Sequence, residues 1–171
     1  MNTFSDNRRM AGLLLIVAVA LLAMFPMAAR TSFGLKTGYI TKNNSALAGL
    51  VFRYNMGHHL RLASELGIVF RNEKLDALTV DANVHFPFEL PSGKVGFYPL
   101  VGLAFNSWNH HEATDSGDSD VTSHTNCLGL NGGAGVDFYC TQSLRLGFEA
   151  KYTLIRHLPN GQFTISIAYV F

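Results

Sequence analysis

Eight stretches of this chain alternate apolar and polar side chains with a period of two, and none shows the period of an amphipathic helix. They run over Ser32–Thr41, Ala46–Asn55, Leu60–Arg71, Ala77–Phe88, Lys94–Asn106, Cys127–Tyr139, Ser143–Ile155 and Gln162–Phe171. Neighbouring side chains of a strand point to opposite faces, so each stretch has an apolar and a polar side. In the last, Phe163, Ile165, Ile167, Tyr169 and Phe171 oppose Gln162, Thr164, Ser166 and Ala168. In the third, Leu60, Leu62, Leu66, Ile68 and Phe70 oppose Arg61, Glu65 and Arg71. In the seventh, Leu144, Leu146, Phe148, Tyr152 and Leu154 oppose Arg145, Glu149 and Lys151. No charge in any stretch falls on its apolar face. The expected class is all-β.

The connections carry turn chemistry, such as Met56-Gly57-His58-His59, Leu90-Pro91-Ser92-Gly93 and Cys140-Thr141-Gln142. Only 107–126 reads as a long loop. Alternation alone does not say which face is outside, because a soluble barrel shows the same pattern reversed. Two features place the apolar face outward. Glycines such as Gly34, Gly49, Gly102, Gly133, Gly135 and Gly147 share the polar face, as a narrow interior requires. Aromatic residues, including Phe33, Tyr39, Tyr54, Phe70, Phe88, Phe97, Phe105, Phe138 and Tyr152, lie near strand ends on the apolar face. There they can form the two interfacial girdles of a membrane barrel.

The beginning of the chain points to export. Arg8 and Arg9 precede an apolar run from Ala11 to Phe25, followed by Pro26 and the small pair Ala28-Ala29. That pattern reads as a signal peptide over 1–29, leaving 30–171 as the mature domain. Extended to Ala29 the run approaches the length of a spanning helix, but Pro26 interrupts its last turn. The formal charge of +1 and the lack of a basic cluster give no nucleic-acid surface. Cys127 and Cys140, at opposite ends of one strand, would lie roughly 43 Å apart at strand rise. A disulfide needs Cα atoms within about 7 Å, so they are not expected to pair.

Eight antiparallel strands of this kind resemble the small bacterial outer-membrane β-barrels, the family of OmpA-like and OmpX-like eight-stranded domains among the porin-family proteins. The resemblance covers nearly the whole mature chain and rests on pattern rather than on invariant residues. It implies an up-and-down transmembrane barrel in the outer membrane of a Gram-negative-type bacterium, surrounded by lipid. It further implies that Phe163, Ile165, Ile167, Tyr169 and Phe171 form the assembly signal read by the barrel-assembly machinery. No cofactor or metal is implied. The turns near Gly57, Ser92 and Thr141 would then be periplasmic and the 107–126 loop extracellular. Pro99 and Pro87 depart from the pattern, since a closed barrel has no edge to excuse a missing N–H. A bulge or local ladder break is expected at Pro99.

The inward charges form the main candidate site. Lys36, Arg53, Arg61, Arg71, Arg145 and Lys151 would meet Glu65, Asp81, Asp137 and Glu149 in a lumen just wide enough for side chains. These groups must pair or stay hydrated, and the expected result is a structural polar network. A porin-like narrow channel for small solutes is the alternative. A three-residue turn at Cys140-Thr141-Gln142 would set Asp137 directly opposite Arg145.

The loop holds His110, His111, Glu112, Asp115, Asp118, Asp120 and His124, residue types that bind zinc or calcium. Their spacing is not that of an EF-hand, and a solvated surface loop open to an extracellular partner is the expectation. A lipid A-modifying enzyme is a further alternative. The nearest match to the closely spaced His and Ser of an outer-membrane deacylase is His157-Leu158-Pro159-Asn160, where Pro159 offers no hydroxyl to attack an ester. Ser123-His124 has no evident third triad member. A structural or surface-interaction role without enzymatic activity is therefore expected. A soluble periplasmic lipid-binding barrel would instead partition without detergent.

Overall fold

The alternating stretches close into a ring. The computed structural model describes residues 31–41, 44–57, 59–72, 75–91, 93–112, 121–155 and 159–171, with backbone alone at 71–72, 75–76, 108–112 and 121–125. The leader expected over 1–29, the Arg71 side chain, the candidate ligands of the 107–126 loop and His157 lie outside the described groups.

The strands are β1 (Thr31–Ile40), β2 (Ser45–Asn55), β3 (Arg61–Asn72), β4 (Leu75–His85), β5 (Phe88–Glu89), β6 (Val95–Glu112), β7 (Val121–Tyr139), β8 (Leu144–Ile155) and β9 (Asn160–Val170). β5 only continues β4 beyond Phe86-Pro87, so the nine segments make eight staves. All pairings are antiparallel. β9 returns to β1, with Phe33 opposite Tyr169 and Tyr39 opposite Phe163. β4 pairs with β6, which closes the ring.

Burial is inverted relative to a soluble protein. Arg61, Glu65, Asp137, Arg145 and Lys151 are buried, whereas Leu35, Leu103, Leu130 and Leu154 are each 58–59 % exposed. The exposed apolar band is the surface that lipid must cover. One outer recess of about 640 Å³ lies where Ala134 and Ala150 sit among Phe97, Phe148 and Phe163.

The inner face also carries apolar residues that the sequence reading passed over. Ile40, Leu47, Val69 and Ala77 are buried together where β1 to β4 reach the rim opposite Thr31 and Phe171. They form an apolar patch on the β1–β4 side of that far rim.

Two expectations need correction. Asp137 is not directly opposite Arg145; it pairs with Gly147, and Arg145 pairs with Tyr139. Cys140 N and Thr141 N both donate to Leu144 O, at 3.0 and 3.3 Å, so the turn is longer than the three residues assumed. A slip of two keeps both side chains inward, because the faces alternate with period two.

The 107–126 stretch is not all loop. β6 runs to Glu112 and β7 starts at Val121, paired without a break from Val95–Phe138 to Glu112–Val121. β8 joins β7 only from Gly129 onward, so the hairpin continues past the β7–β8 ladder. Extending two strands already paired adds hydrogen bonds without closing a new loop.

At Pro99 the expected local ladder break is present, on one side of the strand and without a bulge. The register with β7 is continuous through Pro99–Ala134. On the other side the ladder is interrupted between His85–Leu100 and Phe88–Phe97 and resumes in the same register. Phe86 N donates to Pro99 O at 3.0 Å, and the reciprocal bond is the one Pro99 cannot make. A register shift does occur elsewhere, between Val69 and Asn72 in the β3–β4 pair.

The lumen as candidate functional site

Side chains from every long strand except β9 bring charge or aromatic polarity into the lumen, and β9 contributes Gln162, Thr164 and Ser166. The charges fall into two layers. The layer nearer the middle holds Lys36, Glu65, Asp81, Glu149 and Lys151. Lys36 Nζ lies 2.5 Å from Glu65 Oε2, and Lys151 Nζ lies 2.7 Å from the same oxygen and 2.6 Å from Asp81 Oδ2. Two ammonium groups from β1 and β8 thus hold carboxylates from β3 and β4 across the barrel. Glu149 Oε2 accepts a hydrogen bond of 3.0 Å from the Tyr98 hydroxyl.

The second layer, toward the rim of Thr31 and Phe171, holds three guanidinium groups and one carboxylate. Arg61 Nη1 lies 2.6 Å from Asp137 Oδ2, and Arg145 Nη1 lies 3.7 Å from it. Arg145 Nη2 donates to Ser32 Oγ. Arg53 donates from Nη2 to Ser166 Oγ at 3.2 Å. Above them Asn131 bridges β4 and β8, donating to Asn83 Oδ1 at 2.9 Å and accepting from Thr153 Oγ1 at 2.8 Å.

His85, on the polar face by its parity, and Tyr98, which the charges alone did not reveal, complete the network. The two rings stack with centroids 4.5 Å apart and planes 8° from parallel. The Arg61 guanidinium lies 4.4 Å from the Tyr98 ring centroid, within cation–π range. A methyl group at Gly135 would collide with the Tyr98 ring, so glycine there makes room for the aromatic stack. Tyr98 occupied an even-numbered position between Phe97 and Pro99, and that parity was the available signal.

Glu65, His85 and Glu149 offer one ligand atom each within 4.8 Å of one another. The chemistry of His85 argues against a cation there. Its Nδ1 lies 3.3 Å from Arg61 Nε and 3.1 Å from Arg61 Nη2. A guanidinium only donates, so Nδ1 is the acceptor and the ring proton of the neutral imidazole sits on Nε2. That proton blocks the nitrogen facing the carboxylates, and Lys36 and Lys151 already occupy Glu65.

Of the residues expected to be inward, Lys36, Arg53, Arg61, Glu65, Asp81, Asp137, Arg145, Glu149 and Lys151 all lie in the lumen. Phe163, Ile165, Ile167, Tyr169 and Phe171 are exposed on the outer face. Cys127 and Cys140 are free thiols.

A closed eight-stave antiparallel barrel with an apolar exterior and a charged interior is an outer-membrane barrel. The chain belongs to the family described as outer membrane protein beta-barrel domain, whose model matches residues 15–171, and its place is the bacterial outer membrane. No curated protein matches it in sequence. Among solved structures it is similar to the N-terminal β-barrel domain of Pseudomonas aeruginosa OprF, with 15 % identity and a TM-score of 0.63, over 83 % of this chain and 97 % of that one. Neisserial surface protein A gives 16 % identity and a TM-score of 0.65, over 84 % and 97 %. The Yersinia pestis attachment invasion locus protein Ail, in complex with the heparin analogue sucrose octasulfate, gives 15 % and 0.59, over 84 % and 97 %. At these identities the likeness concerns the fold.

Proposed function

We propose that this barrel serves a structural or surface-interaction role, with the lumen acting as a tie between staves rather than as a solute path. The observation that carries this reading is the set of buried cross-lumen contacts: Arg61 to Asp137, Lys36 to Glu65, and Lys151 to Glu65 and Asp81. Reconstitution of the refolded barrel in planar bilayers tests the point. No single-channel steps are expected, and regular conductance steps would favour the narrow porin-like alternative.

The surface role is assigned to the β6–β7 hairpin, taken as extracellular. Its strands of 18 and 19 residues exceed the 10 to 12 of the other long strands. Loops on a rigid scaffold commonly carry recognition, and the Ail structure with a heparin analogue illustrates a barrel of this fold with a ligand. Replacing 113–120 by a short Gly-Ser turn should leave folding intact and abolish a surface-attachment phenotype. Retained attachment would remove the hairpin from the reading.

No enzymatic activity is proposed. Pro159 leaves no hydroxyl near His157 in the sequence, and His85 has Arg61 and Tyr98 as its neighbours rather than a Ser. Biogenesis through the barrel-assembly machinery, with the β9 stripe as signal, belongs to the same proposal.

A further inference from the structure

Arg53 is the anomaly of the lumen. Its side chain is buried, with 2 % of the residue exposed, yet among the described residues no carboxylate oxygen lies within 4.0 Å of it. Among the described residues its one hydrogen bond goes to Ser166, and its Nε and Nη1 have no partner there. An unpaired buried cation is costly, and the cost is met by water or by a counter-ion.

Three facts favour a counter-ion. First, the layer near Thr31 holds three guanidinium groups, Arg53, Arg61 and Arg145, with Asp137 in the same layer and Glu65 and Glu149 in the next. Asp137 Oδ2 is already taken by Arg61 at 2.6 Å and faced by Arg145 at 3.7 Å. Second, the unpartnered buried atoms are mostly donors. Arg53 Nε and Nη1, Arg145 Nε, Asn83 Nδ2, His85 Nε2 and Gln162 Nε2 stand against only Asp137 Oδ1 and Glu149 Oε1. Third, a second guanidinium group lies in the same layer. Arg145 donates to Ser32 Oγ, and Ser32 is the residue paired with Arg53 across β1 and β2.

We propose that Arg53, with Arg145, binds a small inorganic anion of the halide class inside the barrel, near the rim that carries Thr31 and Phe171. The lumen of an eight-stranded barrel is only wide enough for side chains, which restricts the guest to a compact ion. Asp137 Oδ1 is the competing charge in this layer; it faces the bare Cα of Gly147 alongside Ser166 Oγ and Arg53 Nη2. The anion is therefore placed on the unpartnered Nε and Nη1 of Arg53.

The test is thermal unfolding of the refolded full chain in detergent at one ionic strength, with sodium chloride, bromide or gluconate. A ligand that binds only the folded state raises Tm in a saturable way. Tm should rise with chloride or bromide relative to gluconate, and Arg53→Gln should remove that dependence. Superimposed wild-type curves in chloride and gluconate would overturn the proposal and leave water as the solvating species. An Arg53→Gln barrel that keeps the full anion response would overturn it equally. If the variant does not fold, crystals of the wild-type barrel grown in bromide give the second reading. An anomalous peak beside Arg53 is expected, and a lumen without one refutes the site.

Discussion

Arg61 and Asp137, 76 residues apart in sequence, meet at 2.6 Å inside the lumen, toward the rim of Thr31. One side chain comes from β3 and the other from β7, so the contact spans the ring rather than running along a ladder. Asp137 also serves Arg145, and its loss would strand two guanidinium groups in the lumen. Asp137→Asn should destabilise the refolded barrel by about 3–5 kcal/mol, the usual cost of removing one partner of a buried ion pair. Urea unfolding in detergent, followed by heat-modifiable gel migration, measures it; a loss under 1 kcal/mol (roughly that of a surface pair) would show that the lumen is fully hydrated.

Lys151 stands between Glu65 and Asp81, at 2.7 and 2.6 Å. Lys151→Met and Glu65→Gln should each destabilise strongly, but the double variant should lose less than the sum. A coupling of about 0.5–3 kcal/mol is expected for residues sharing one network. Strict additivity in a double-mutant cycle would mean that the contact contributes nothing.

Gly135 tests the packing of the aromatic stack. Gly135→Ala should lower stability by about 1–3 kcal/mol through overpacking against Tyr98. In a Tyr98→Ala background the penalty should shrink, leaving the part set by the Phe148 carbonyl oxygen, 2.8 Å from the added methyl. Equal penalties for Gly135→Ala in both backgrounds would place the clash elsewhere.

The outward stripe of β9 makes a different kind of prediction, because its proposed role is in delivery. Replacing Tyr169 and Phe171 by Ser should reduce the folded barrel recovered from outer membranes of expressing cells. Refolding of the same variant from urea into detergent should proceed nearly as for the wild type. Equal impairment in both settings would point to lost packing of the two rings, whose centroids are 5.0 Å apart, rather than to recognition.

The barrel itself was legible because period two is a local property. Arg61, Glu65, Arg145, Glu149 and Lys151 declare their face within their own strands. The pairings across the lumen were not, since the meeting of Arg61 with Asp137 depends on how far each strand is displaced along the ring. The offset between Asp137 and Arg145 shows the same limit, because a few turn residues decide a register that alternation cannot distinguish from its neighbour two residues away. Ile40, Leu47 and Val69 were hidden for another reason. They are apolar residues on the polar face, and a rule that sorts faces by polarity has no place for them. The β6–β7 extension was missed because Ser107 to Glu112 lacks the strong apolar stripe that lipid imposes on the strands below.

Phe171 N donates to Thr31 O at 2.9 Å, beside the pairing of Ser32 with Val170. The first and last staves are therefore neighbours in the same sense as any other two. Their position in the order belongs to the covalent thread and leaves no mark on the finished wall. A chain joined through these two residues and reopened at a far-rim turn would make nearly the same ladder with a different strand arriving last. What sets β1 and β9 apart is time: one waits for its second partner until the other has been delivered.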